Sequence, residues 1–237
     1  MKQSKEDILT YFQGFISDHK IELFNNLIEE RTRHFTFILE DLFHPHNASA
    51  ILRSSDCFGL QDVHMVENNH QFINEKDISL GSAKWLSINH YNDLDTNSPT
   101  CIDQLKEKGY TIAALNPHKN DILISELPVD RKTAFVLGAE KNGLSDYSLS
   151  NADIHVKVPM HGFTESYNVS VTAALVMYDI TERLRKSDLD WHLLPDEKWK
   201  IKLAWTLKTI QSSRDIIRHY LKMHPEQASS FDFSKFI

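Results

Sequence analysis

Three stretches of the chain concentrate side chains that pack poorly but can donate, accept or carry charge: PHNASAILRSSDCFG (45–59), FVLGAEKNGLSD (135–146) and VPMHGFTESYNVSV (158–171). Within them Asn47 and Asn168 offer amides, Arg53 a permanent cation, Glu140 a carboxylate and Ser166 a hydroxyl. Read one at a time, each has an ordinary structural explanation. Asn47 fits a helix cap, Arg53 a surface salt bridge, and Glu140 a carboxylate at a helix entry, favoured by the dipole. Ser166 and Asn168, beside Glu165, precede an apolar helix as N-caps do. Asn47 and Arg53 lie six residues apart and share no strict helical face, yet a cap position and a second turn can flank one pocket. His46, His155 and His161 lie nearby and are of the residue type that most often moves protons in catalysis, but in a chain with 13 histidines they read as structural or exposed. Singly, none of these residues identifies an enzyme.

The elements that must position them follow from periodicity. Short apolar runs, FTFILEDL (35–42), VHMVE (63–67), YTIAALN (110–116), TAFVLG (133–138) and IHVKVPM (154–160), alternate with helical stretches, which predicts a mostly parallel α/β sheet. Asn47 is expected to cap a helix stopped by Gly59, and Pro99 and Gly109 to bracket another. After Asn168, VSVTAALVMYDITERLRK is too long for a strand and reads as a partly buried helix. Residues 5–30 carry apolar positions at helical spacing, predicting two amphipathic helices. One final helix is expected from about Asp196 to Lys222, with Trp199, Leu203, Leu207 and Ile210 along one stripe. The tail after His224 is expected to be loosely held or to dock by its Phe residues.

The first strand runs into HPHNASAILRS without a glycine, which excludes the usual dinucleotide fingerprint and the P-loop. Of seven glycines, Gly138, Gly143 and Gly162 follow the last two strands, so ligand-binding loops belong at the C-terminal end of the sheet. The 237 residues, 41% hydrophobic, suffice for one substantial core. There is no run of roughly 20 apolar residues and no signal-peptide pattern at the N-terminus, so the chain reads as soluble and cytoplasmic. Cys57 and Cys101 are too few for a disulfide framework or a thiolate zinc site and are expected to be buried thiols, and no metal cluster is expected. The net charge of −7 argues against coating nucleic acid by bulk electrostatics. From Thr181 to Lys222, however, ten basic residues oppose six acidic ones, a net +4 that could serve a local RNA contact or simply a solvated helix face.

Taken together and in this order, the three stretches resemble the three motifs of the SpoU/TrmH branch of the SPOUT RNA methyltransferases, over roughly residues 31–185. The resemblance implies an α/β domain, residues 31–185, whose C-terminal segment threads a deep trefoil knot, one of the rare exceptions to unknotted connections. Helical extensions, 1–30 and 186–237, flank it. It implies S-adenosylmethionine as cofactor, a structured RNA as partner and a homodimer with sites at the subunit interface. By position, Arg53 matches the catalytic arginine, Asn47 the first-motif asparagine, Glu140 the second-motif acid, and Ser166 and Asn168 the third-motif polar pair. Leu115, Gly138, Val158, Met160 and Tyr167 fall where the family contacts the cofactor, largely through backbone. Two positions depart from the pattern: Tyr167 stands where a leucine is usual, and Asn142 where the tRNA enzymes carry an aromatic.

Short extensions at both ends resemble the branch that methylates the ribose of the D-loop guanosine, position 18, of tRNA. A ribosomal RNA 2′-O-methyltransferase of the same family is the alternative within the same chemistry. A catalytically inactive RNA-binding scaffold is an alternative of another class, and a nicotinamide-dependent oxidoreductase is disfavoured by the missing glycine fingerprint. Methyl transfer of this kind needs positioning rather than a metal. A guanidinium holds its proton to above about pH 12, so Arg53 is expected to orient the ribose hydroxyl and stabilise developing charge, the proton leaving to a phosphate oxygen or water.

Overall fold

A computed structural model describes residues 4–69, 81–116, 122–225 and 232–233. In chain order the elements are α1 (Lys5–Gln13), α2 (Asp18–Leu27), β1 (Phe35–Glu40), α3 (Pro45–Cys57), β2 (Asp62–Val66), β3 (Ser87–Tyr91), α4 (Ser98–Glu107), β4 (Thr111–Leu115) and β5 (Ile122–Leu123). They continue with β6 (Thr133–Leu137), α5 (Asp146–Asn151), β7 (Ile154–Lys157), α6 (Val169–Arg185), α7 (Pro195–Thr209) and α8 (Ser213–Met223). They divide between two compact units, Thr32–Trp191 and a second made of the residues up to Arg31 together with those from His192 onward.

The larger unit holds a seven-stranded sheet in the order β3-β2-β1-β6-β4-β7-β5, with every strand pairing among the described residues parallel. Its central strands are covered on both faces, so β1 and β6 are buried at every position and largely apolar in sequence. Alternate residues go to opposite layers. Phe35, Phe37, Leu39, Phe135 and Leu137 pack with α3 and α6, through Ile51, Leu52, Val176 and Ile180. Ile38, Ala134 and Val136 pack with α4, through Cys101, Ile102 and Leu105.

Two strands, β3 and β5, were not predicted. SINHY is mostly polar, as edge strands are, and β5 has two residues; neither produces an apolar run or a clean alternation. The expected strand 154–160 stops at Lys157, because Pro159 has no N–H to give the ladder and restricts Val158 before it. The first-motif helix starts at Pro45, whose fixed φ suits the first helical position, so Asn47 lies inside the first turn rather than at the cap. Gly59, φ 77°, and Gly109, φ 81°, end α3 and α4 as expected. Cys101 is buried, but Cys57 is exposed: it lies in the last turn of α3 on the side away from Ile51, Leu52 and Ser55.

In the smaller unit, Ile8, Leu9 and Phe12 of α1 pack with Trp199, Leu203, Leu207, Ile210, Ile217 and Tyr220. The expected single helix from Asp196 to Lys222 is two, broken at Ile210, whose ψ of 122° is extended. The serines at 212 and 213 favour a turn there over helix interior. The break lets the ring of Tyr220 of α8 pack, tilted, with its centroid 5.2 Å from that of Phe12. Of the tail, Phe233 is buried against Phe12 and Tyr220, and Asp232 beside it is exposed; residues 226–231 and 234–237 lie outside the described residues. No helix of the described residues is long and apolar enough to cross a membrane.

His64 of β2 is 3% exposed, and its Nδ1 lies 3.2 Å from the Tyr91 hydroxyl. Burial, aided by the charge of Lys108, lowers its pKa from 6.5 to about 4, so the fold holds the ring neutral. Between those values the unfolded chain binds the extra proton. Stability should therefore be full above about pH 6.5 and fall as pH drops toward 4, by about 3 kcal/mol at most. Thermal unfolding of the wild type from pH 8 to 4 should show this limb, and a His64→Leu variant should flatten it.

Candidate active site

The sheet ends that carry the three motifs lie side by side. β1 pairs with β6 in the register Leu39↔Leu137, and β4 pairs with both β6 and β7, so the loops after β1, β6, β4 and β7 leave along one edge. That edge is the C-terminal one, where open α/β sheets hold ligands. Asp41 turns the chain out of β1 with φ 56°, and its Oδ1 accepts from the backbone N–H groups of Asn68 and Asn69.

Beyond Asp41, the N-terminus of α3 has no side-chain cap of its own. Glu140 supplies one from the next loop. Its Oε2 accepts from the Phe43 N–H at 2.9 Å and its Oε1 from the His44 N–H at 3.2 Å. The expectation that Glu140 opens the following helix is corrected: it sits in a turn closed by Ala139 and Gly143, and the next helix, α5, starts at Asp146 with Ser145 as cap. The helix terminus it serves is that of α3.

The same carboxylate orients two amides. Glu140 Oε1 also accepts from Asn47 Nδ2 at 2.6 Å; Asn47 Oδ1 accepts from Asn168 Nδ2 at 3.1 Å; and Asn168 Oδ1 accepts from the Ser170 N–H at 2.8 Å. A carboxylate accepting these donors and a backbone N–H that can only donate stand at the two ends, so both amide orientations follow from the chemistry. The chain of bonds joins all three motifs, and Asn168 is at once the cap of α6 and a member of it. Burial works to raise the pKa of Glu140, but the Asn47 amide and the backbone N–H donors outweigh it and hold the carboxyl below its ordinary value.

Beside this relay is a cavity of about 620 Å³, the size of a nucleoside-type ligand site. Leu115, Gly138, Val158, Met160 and Tyr167 all line it, as do Glu140, Ser166 and Asn168. The residues of 138–144 form one wall, and Asn142 is among them. A Cβ on Gly138 would lie 2.2 Å from the Gly143 carbonyl carbon and 2.4 Å from the Leu144 nitrogen, so only glycine permits the turn to fold back here. The Tyr167 hydroxyl donates to the Pro159 carbonyl at 3.2 Å and ties the third loop across its own base.

Asn47 touches the relay without lining the cavity, and Arg53 does neither. Arg53 lies six residues further along α3, exposed. None of His46, His155 and His161 lines the cavity, and His155 is 9% exposed within β7. Asn116, at the end of β4, and Thr172, one turn into α6, line it without having been singled out, since neither belongs to a motif cluster.

Residues 34–178 match the model of the SpoU rRNA Methylase family. The chain belongs to this family. Over 198 residues it is 39% identical to the tRNA (guanosine(18)-2′-O)-methyltransferase of Borreliella burgdorferi, covering 84% of this chain and 89% of that one. The TrmH/SpoU tRNA modifying enzyme of A. aeolicus superposes with a TM-score of 0.71 at 25% identity, covering 81% of this chain and 98% of that one. The SpoU methyltransferase AviRb from Streptomyces viridochromogenes, solved in complex with AdoMet, shares the fold at a TM-score of 0.59 and 20% identity, over 68% of this chain and 65% of that one.

Two substitutions, with Gly162→Ala as a control, test the SpoU site's architecture. Gly138→Ala should lower Tm by more than about 6 °C or abolish soluble expression, as overpacking against backbone does, whereas Gly162→Ala, whose Cβ meets nothing, should leave Tm unchanged. Glu140→Gln should lower Tm by about 3 °C at pH 7. Because the folded carboxyl titrates below 4.5, its contribution is full above that value and is lost as pH falls through the folded pKa; the wild-type and variant melting curves should converge in that acid range.

Proposed function

We propose that this protein transfers the methyl group of S-adenosylmethionine to the ribose 2′-hydroxyl of the D-loop guanosine, position 18, of tRNA. The observation that carries the reading is the Glu140–Asn47–Asn168 relay, which locks the three motif loops together beside a 620 Å³ cavity. The name borne by the Borreliella relative supports the substrate.

The residues present fit S-adenosylmethionine. The cavity has the volume for it, the 138–144 segment along its wall carries backbone N–H and C=O groups of the kind a nucleobase or ribose needs, and Leu115, Val158 and Met160 supply apolar contact. When bound, the cofactor supplies an electrophilic methyl on a sulfonium. This chain's part is to hold the ribose hydroxyl in line and to stabilise the charge that grows on its oxygen. Arg53, exposed on α3, has a guanidinium that donates to that oxygen, and the proton leaves to an RNA phosphate or to water. Glu140, whose oxygens already accept from Phe43, His44 and Asn47, positions rather than abstracts protons. Ser166, exposed on the third loop and lining the cavity, contacts the substrate or cofactor.

We take residues 31–185 as the methyltransferase domain, with a trefoil knot formed by its C-terminal segment, and residues 1–30 and 186–237 as helical extensions. Val171, Leu175 and Tyr178 of α6, spaced on one helical face and 46%, 40% and 61% exposed, support a homodimer through that helix. Arg214, Arg218 and Lys222, exposed at successive turns of α8, support RNA contact by the C-terminal extension.

The test is labelled methyl transfer to unmodified tRNA, with nuclease mapping. Label on the D-loop guanosine is expected, with kcat/KM at least about 100-fold lower in Arg53→Ala and poorly restored by Arg53→Lys, whose ammonium lacks the planar fork. Label confined to ribosomal RNA would keep the reaction and overturn the substrate. Near-native turnover in Arg53→Lys would overturn the role given to the guanidinium.

A further inference from the structure

One buried carboxylate is not used by the reaction. Glu40 ends β1 on the face packed against α4 and α5 and is 2% exposed. Four donors converge on it. Oε1 accepts from the hydroxyls of Ser98 at 2.5 Å, Ser145 at 2.7 Å and Ser148 at 2.6 Å, and Oε2 accepts from the Ser145 N–H at 2.9 Å. Burying a carboxyl group is costly unless it is well bonded, so an arrangement this complete holds its donors firmly in place.

Ser145 gives the arrangement its consequence. It closes the segment that begins at Gly138, and it caps α5 by accepting from the Ser148 N–H at 3.2 Å. Residues 138–144 between these ends form the cavity wall. The near end is held by β6; Glu40 holds the far end. Meanwhile Glu140, within that wall, binds the N–H groups of Phe43 and His44, just after Glu40. The end of β1 thus sends a carboxylate to the backbone of the loop after β6, and that loop sends one to the backbone just after β1.

We propose that Glu40 is a positioning residue for cofactor binding: by anchoring Ser145 it keeps the 138–145 loop in the conformation that accepts S-adenosylmethionine. This rests on the reading of the cavity given above. With Glu40 removed, the loop samples other conformations, and apparent cofactor affinity falls in proportion to the fraction that remains competent. Saturating cofactor draws the population back, so KM for S-adenosylmethionine rises while kcat changes little. A residue that only stabilised the fold would act differently, lowering the amount of active enzyme at unchanged KM.

The experiment is steady-state methyl transfer with calorimetric titration of S-adenosylmethionine into wild type, Glu40→Gln and Ser145→Ala. Glutamine turns an NH2 toward the Ser145 N–H or deprives the three hydroxyls of their shared acceptor; alanine at 145 removes the hydroxyl and keeps the N–H. A rise in KM and Kd for the cofactor of about 10-fold in Glu40→Gln and about 3-fold in Ser145→Ala, with kcat within about 2-fold, is expected. Should Glu40→Gln fail to fold, Ser145→Ala decides. Wild-type cofactor affinity in the folded variants, or a reduced kcat at unchanged KM, overturns the proposal while leaving the cavity's ligand standing. A wild-type protein that binds no S-adenosylmethionine overturns both.

Discussion

The parallel pairing of β1 with β6 is the constraint on which the site depends. Its register sets Leu39 beside Leu137, so the chain leaves the sheet at Glu40 and at Gly138 on neighbouring strands. Two loops emerging together bring backbone N–H groups that have left the ladder and need acceptors. Those of Phe43 and His44 find Glu140, and that of Ser145 finds Glu40. A slip of one residue in this pairing would turn Glu40 to the opposite face of the sheet, into the apolar layer of α3 and α6, and leave its donors without an acceptor.

From that pairing the polarity of the site follows. Glu140 dictates how the Asn47 amide lies, Asn47 dictates Asn168, and Asn168 must still accept from the first turn of α6. The helices bearing the two asparagines are themselves packed together, with Ser55 of α3 against Met177 of α6, so the amide contact is set by the core beneath it. Glycine at 138 completes the geometry, because the 139–143 turn folds back where any side chain would stand. Arg53 is left exposed on the same helix, outside the relay and outside the cavity wall, in a position suited to a ligand that approaches from solvent.

Much of this was legible in residue types. Buried parallel strands announced themselves as apolar runs such as FTFILE and TAFVL, and helix ends as Gly59 and Gly109. The edge strands β3 and β5 were not legible, because a strand bonded on one side needs neither an apolar run nor length. The break between α7 and α8 was hidden by a helical stripe that continues through it; Tyr220 turns back onto Phe12 only because both belong to one small core. Glu40 stands at the end of an apolar strand, where an acid signals a bonded burial, but its serine partners lie 58 to 108 residues away and no local pattern names them.

The sequence by itself determined the class of fold, the family and the identities of the polar residues, since these follow from periodicity and from the motifs as they stand in the chain. Which residue bonds which was decided by the tertiary structure alone. Glu140 could be read as a partner for the helix after it; the sheet places it instead at the start of α3, 97 residues earlier in the chain at Phe43. Asn47 could be read as a cap, but Pro45 starts the helix before it, and only the packing of α3 against α6 turns its amide toward Asn168. Hydrogen bonds between loops depend on the relative placement of distant strands, and no local pattern in the chain encodes that placement.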